Sequence, residues 1–167
     1  MRHAATTHYD PTVIAIEAAN ADDIDQLVAL ESKLFREDAD RHDKFADVTW
    51  PEREGRYDFT RMLTDSAYLL LVARDRGEMV GHLVGYLSKS SPTRQPVTYS
   101  ALRSMYVESD SRCHGISHLL TERFVSWSRD NGCVEAHVES YVANDSAQRF
   151  YERHGFACQS QSRVLPL

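Results

Sequence analysis

The apolar positions of this chain fall into two rhythms. Some stretches alternate or run apolar for the length of a strand, and others repeat every three or four residues as on one helical face. Thr12 to Ala18 (TVIAIEA) reads as a first strand. Asn20 then supplies an N-cap, Asp22 and Asp23 complement the helix dipole, and Ile24, Leu27, Val28, Leu34 and Phe35 share one face. Glu31 falls in the middle of that face, where a carboxylate must be desolvated, paired or turned to a cavity. Gly55 to Asp65 is a weaker amphipathic helix carrying Tyr57, Phe59, Met62 and Leu63. Ala67–Arg74 and Met79–Leu87, joined by Asp75-Arg76-Gly77-Glu78, predict a hairpin. Gly81 and Gly85 inside its return strand mark a bulge or a close backbone approach.

The second half repeats the alternation of strand and helix. Val97–Val107, rich in β-branched and aromatic residues and free of Gly and internal Pro, predicts a strand, and Glu108–Arg112 a turn. Ile116, Leu120, Phe124 and Trp127 recur at helical spacing, and Asn131-Gly132 ends that helix. Val134–Ser140 sets Val134, Ala136 and Val138 against Glu135, His137 and Glu139, giving one core face and one polar face. Ala147, Phe150, Tyr151 and His154 form the stripe of a last helix, with Asp145 and Gln148 as a capping-box-like pair and Gly155 as its stop. Gln159–Leu165 predicts a final strand. Together these elements give a mixed α/β layer architecture.

Composition narrows the function. The chain has 167 residues, 42% hydrophobic and 26% charged, which suits one folded domain. We place a loose polar tail at residues 1–11 and a single domain at residues 12–167. A net charge of -6 argues against nucleic acid as a partner and suits a cationic substrate. No apolar run reaches membrane-helix length and the N-terminus lacks an apolar signal core, so no membrane partner is expected and the cytoplasm is the expected compartment. Cys113, Cys133 and Cys158 form no C-x-x-C pair, so neither a disulfide scaffold nor a metal site is expected. Arg36–Glu54, long, polar and acidic, reads as a functional loop or a solvated surface loop, with Phe45 and Trp50 as an apolar wall for a ligand.

The most informative stretch is the joint between the Val97–Val107 strand and its helix, Arg112-Cys113-His114-Gly115-Ile116-Ser117. A small-residue loop opening a helix leaves backbone N–H groups free at the positive end of the dipole, an anion site best suited to phosphate. Gly115 lets the backbone approach a ligand, and Arg112 adds charge at the rim.

This run resembles the acetyl-CoA signature of the GCN5-related N-acetyltransferases (GNAT), a strand followed by Q/R-x-x-G-x-G/A, with Arg112, Gly115 and Ser117 at its defined positions. Ser117 stands where the pattern has Gly or Ala. Asn144, Ala147, Tyr151, Gly155 and Phe156 match the family's later element, N-x-x-A-x-x-x-Y-x-x-x-G-F, again after a strand. The resemblance runs from about Val13 onward. It implies the GNAT fold: a twisted, mostly antiparallel sheet of six to seven strands, flanked by about four helices and splayed at the acetyl-CoA site.

It further implies that Met105, Tyr106 and Val107 bond the pantetheine arm like an added strand, that residues Arg112 to Ser117 hold the pyrophosphate, and that Asn144 contacts the pantetheine or orders the splayed strand ends. Tyr151 matches the general acid: a phenol with an ordinary pKa near ~10 stays protonated at neutral pH and can donate to a departing thiolate. Many relatives carry a carboxylate near the end of the central strand, where this chain has Arg103 and Ser104. Glu31, Glu139 and His137 therefore stand as alternative bases, each with a plainer reading as an ion pair or surface group. The expected activity is direct transfer of an acetyl group from acetyl-CoA, without metal, to a primary amine of a small molecule or protein. The resemblance also leaves open a homodimer and a non-catalytic acetyl-CoA-binding module. A phosphate-loop nucleotide binder is disfavoured by the absence of G-x-x-x-x-G-K-[ST].

Overall fold

The computed structural model describes residues 14–167. The expected tail at residues 1–11 and the first two residues of the expected first strand lie outside that range. Five strands and four α-helices follow in the order β1 (Ile14–Ala18), α1 (Ile24–Arg41), α2 (Arg56–Leu63), β2 (Tyr68–Asp75), β3 (Glu78–Lys89), β4 (Thr98–Val107), α3 (Ile116–Asp130), β5 (Glu135–Val138) and α4 (Asp145–Arg153). The strands form one sheet in sequence order; neighbours are antiparallel except β4 and β5, which run parallel. The expectation of six to seven strands is corrected to five among the described residues, because the segment after Gly155 forms no helix or strand.

Alternation along the strands sorts the core into two layers. Leu70, Val72 and Val84 face Ile24, Leu27, Phe59 and Met62 of α1 and α2. Leu71, Ala73, Leu83, Leu102 and Val107 face Ile116, Leu120 and Phe124 of α3, with Tyr151 and Phe156 packed against them. Each fully buried Leu, Ile or Phe contributes roughly 1.5–3 kcal/mol of burial energy, so the α3 stripe anchors the loop that precedes it. Gly85 is required by this packing: a Cβ there would lie 2.8 Å from the Phe124 ring.

Opposite Gly85 the register slips. Val84 pairs with Ser104 and Gly85 with Leu102, leaving Arg103 as the extra residue of a β-bulge in β4. The bulge reverses which residues point where. Ser100, upstream, bonds Ser128 of α3 at 2.7 Å, whereas Arg103 reaches Asp58 of α2 and Tyr106 reaches Glu37 of α1.

Two local expectations change. The segment from Arg36 is helical as far as Arg41 and resumes as a π-turn at Pro51–Gly55, so the connecting loop is much shorter than expected. α4 is capped by Asn144, whose side chain accepts from the Ala147 amide; Gln148, expected to complete a capping box with Asp145, instead donates to Ser140 Oγ at 2.8 Å. Asn20 caps as expected, its side chain accepting from Asp22 N.

Candidate active site

β5 pairs with β4 only from Tyr99 to Leu102. From Arg103 to Val107 β4 keeps its partner β3 but, among the described residues, has no strand on its other edge, so β4 and β5 part there. Met105 and Tyr151 pack against the same core cluster on the α3 face. The phenol of Tyr151 therefore lies on the side of the sheet from which α3 approaches. Tyr151 is wedged edge-on against Phe150 and Phe156, with ring centroids 5.3 and 5.6 Å away, and burial pushes its pKa up to about 12.

At the end of β4 the chain turns through Ser109–Ser111 and enters α3 through Gly115, its N-cap, in the left-handed region at φ 78°. Gly115 has no side chain to accept from the first-turn amides. A Cβ at Gly115 would meet nothing within 4 Å, so the approach to these amides is open. Cys113 is also left-handed, at φ 65°, and exposed. Ile116 is buried and pins the loop to the core, while Ser117 is half-buried in the first turn. His114, also half-buried, completes the loop.

Arg112 does not stand free at the rim. Its Nε donates to Val107 O at 2.8 Å and its Nη2 to Glu37 Oε1 at 2.7 Å, with the guanidinium 5.2 Å from the Tyr106 ring centroid. Burial pushes the Glu37 carboxyl up, but the Arg112 hydrogen bond and charge outweigh it and the net shift is downward. Tyr106 donates its hydroxyl to Glu37 at 3.2 Å; burial, then the Glu37 charge, raises its pKa to about 12. Arg112 thus braces the end of β4 and ties it to α1. The positive potential of the loop is left to the helix amides.

The remaining candidates scatter around the parted strands. His137 on β5 pairs with Glu135 at 2.9 Å and lies 4.6 Å from the Tyr99 ring, while Glu139 is exposed at the end of β5. Glu31 is buried and meets His82 Nε2 at 2.7 Å. Burial pushes its carboxyl up, yet the hydrogen bond and charge of His82, aided by Arg103, bring the net shift downward. Asp38 is shifted the other way, raised by burial and by Glu37, Asp43 and Glu31, with His42 opposing. Phe45, expected to wall the site, is 84% exposed, whereas Trp50 stacks on Phe35 and carries Arg103 over its face. A bridge from the α1 end to the segment after β5 is made by Tyr141, which donates to Asp43 at 3.4 Å and stacks on His42.

Sequence reading missed His82 and Glu37. A signal for the first did exist: His82 interrupts an apolar strand just as Glu31 interrupts an apolar helix face, and two such intrusions are best reconciled by facing each other. Among the described residues no cluster of three or more His, Cys, Asp or Glu side chains could hold a metal, and no helix is long and apolar enough to cross a membrane.

The same architecture occurs in solved proteins. A point mutant of the BH1408 protein of Bacillus halodurans superposes with a TM-score of 0.84 at 22% identity, over 92% of this chain and 99% of that one. The aminoglycoside N-acetyltransferase AAC(6')-Iy in complex with CoA matches with a TM-score of 0.71 at 14% identity, over 92% and 98%. A ribosomal-protein-alanine N-acetyltransferase from Brucella melitensis biovar Abortus 2308 matches with a TM-score of 0.66 at 18% identity, over 92% and 99%. At these identities the likeness establishes the fold. No curated protein matches the sequence. The model of the Acetyltransferase (GNAT) family matches residues 26–156, which include the parted strands, the open amides at Gly115 and Tyr151, and the chain therefore belongs to the GNAT acetyltransferase family.

Proposed function

We propose that this protein is an acetyl-CoA-dependent N-acetyltransferase that passes the acetyl group directly to a primary amine of a small molecule or protein. The observation that carries the reading is the grouping of three features: a β4 edge with no strand partner among the described residues, a head of α3 whose N-cap is a glycine, and Tyr151 packed on the same cluster as Met105. Bound acetyl-CoA supplies a thioester whose carbonyl carbon accepts the amine.

Met105, Tyr106 and Val107 receive the pantetheine arm along the open edge of β4. The amides from Gly115 to Ser117 grip the diphosphate at the dipole end of α3, with Cys113 and His114 shaping the loop and Arg112 bracing it from behind. Asn144 acts by capping α4, which fixes the helix that carries Tyr151. Tyr151 donates its proton to the sulfur as the C–S bond breaks. With its pKa near 12 it stays protonated at working pH, and it supplies the proton only as the thiolate develops. Of the three alternative bases, His137 is held by Glu135 and Glu139 faces solvent, which leaves Glu31 as the one built into the α1 face of β4.

The acceptor side is acidic. Glu37, Asp38 and Asp43 lie on or just after the end of α1, which favours a cationic amine. The names of the solved relatives, an aminoglycoside and a ribosomal-protein-alanine N-acetyltransferase, cover the two acceptor classes proposed. Tyr151→Phe tests the reading against a non-catalytic acetyl-CoA-binding module. An enzyme loses roughly 10²–10⁴-fold in kcat while CoA affinity by calorimetry is kept. Unchanged turnover in the variant would refute the role given to Tyr151.

A further inference from the structure

Glu31, the base candidate left above, is half of a buried titratable pair whose other member, His82, has no task yet. His82 has no exposed surface, Glu31 is 2% exposed, and their side chains meet at 2.7 Å. A buried ion pair is weak evidence for a stabilising role, because apolar replacements of similar volume often serve stability as well or better. A carboxylate only accepts, so the hydrogen between them sits on His82 Nε2, and a neutral ring then has its lone pair on Nδ1. Nδ1 is buried and has no hydrogen-bond partner among the described residues. Ser104 Oγ is buried beside the pair, and its hydroxyl helps to hold the Glu31 carboxyl down.

The strand register explains the proximity. Tyr106 stands opposite His82 and Ser104 opposite Val84, so Ser104 is the diagonal neighbour of His82. Ser104 also belongs to the stretch of β4 whose outer edge is open. Diagonal neighbours on one face lie about 7–8 Å apart, and a water between the two side chains would give His82 Nδ1 a partner.

We propose that His82, oriented by Glu31, takes the proton that the acceptor ammonium must shed, through a water bridging His82 Nδ1 and Ser104 Oγ. The proposal rests on the acetyltransfer reading above. One N–H bond of the ammonium breaks and one Nδ1–H bond forms, giving an imidazolium paired with the Glu31 carboxylate. The neutral amine then forms the C–N bond as the C–S bond breaks, and Tyr151 protonates the sulfur. The surplus proton on the amide nitrogen restores the Tyr151 phenol, and the imidazolium releases its proton to solvent before the next cycle. Glu31 is a positioning residue in this scheme. The charged and titratable groups around the pair are Arg103 of β4, which Asp58 of α2 holds at 2.7 Å, Asp38 of α1, and Tyr106 of β4 with its hydroxyl on Glu37.

The test uses His82→Gln and Glu31→Gln in the full chain, with an amine that the wild type acetylates. In Glu31→Gln the amide oxygen can still accept from His82 Nε2, so the contact survives while the charge goes. Both variants should bind CoA as the wild type does by calorimetry. For His82→Gln, kcat/KM at pH 7 should fall about 10²-fold or more. Its logarithm should rise with unit slope from pH 6 to 9, following the free amine in solution, where the wild type levels off. Glu31→Gln should move that break to lower pH, because the imidazolium has lost its carboxylate. A purely structural pair would lower the melting temperature and leave the break in place. A wild-type pH profile in both variants overturns the proposal, and if His82→Gln does not fold, the position of the break in Glu31→Gln decides alone. A wild type that acetylates no amine defeats the acetyltransfer reading itself, a distinct failure.

Discussion

Gly115 and Gly132 form a matched pair that separates the cost of a backbone conformation from the cost of a lost ligand contact. Gly115 precedes α3 at φ 78° and Gly132 follows it at φ 69°, and a Cβ at either would meet nothing within 4 Å. Alanine therefore costs only the left-handed strain in each case, about 1–2 kcal/mol. For a domain of this size that lowers the melting temperature by roughly 2–8 °C in both variants. CoA at a hundred times its Kd stabilises the wild type by about 2.7 kcal/mol. That corresponds to a rise of roughly 5–11 °C. Gly132→Ala should keep this rise. Gly115→Ala puts a methyl into the open approach to the α3 amides, and even a tenfold loss of affinity removes about 1.4 kcal/mol of the stabilisation. Thermal melts of both variants with and without CoA decide the matter. Equal CoA-induced shifts in the two variants would show that the head of α3 does not hold the diphosphate.

Three further outcomes follow from the packing and electrostatics. Gly85→Ala forces a methyl to 2.8 Å from the Phe124 ring, and chemical denaturation should show a loss of about 1–3 kcal/mol. Tyr151 has a folded-state pKa of about 12 against an ordinary 10.0, so the stability it gives is complete below pH 10 and is lost as pH rises toward 12. Tyr151→Phe should flatten that part of an alkaline denaturation curve. Glu37 has a folded-state pKa below its ordinary 4.5, so its contribution is present above that value and lost as pH falls through the lower one. Glu37→Gln should therefore reduce the acid sensitivity of the melting temperature, and should weaken CoA binding by freeing Arg112 from its brace.

The periodic parts of the molecule were legible before any coordinates. The α3 stripe of Ile116, Leu120 and Phe124 is buried as its spacing predicts, and Gly85 sits at a close approach beside a bulge, as a glycine in an apolar strand suggests. What escaped is what depends on contacts between distant residues. The end of α1 at Arg41 is hidden because residues 36–41 hold five charged residues and a single alanine, which gives no periodic apolar signal. Arg112 reads as a phosphate ligand in its own motif, and only the folded chain brings Glu37 to its guanidinium from 75 residues away. His82 and Glu31, 51 residues apart, each look anomalous alone and become intelligible as a pair. Val164 and Leu165 suggest a final strand, but those side chains are exposed and the segment forms no strand.

The most direct measurement of the central claim is the release of CoA thiol from acetyl-CoA by the wild-type protein across a panel of primary amines, including polyamines, aminoglycosides, amino acids and peptides with free N-termini or lysines. The account predicts release that depends on at least one amine and saturates with it, with the acetylated amine recovered in equal amount. CoA binding without amine-dependent release from any member of the panel would contradict it.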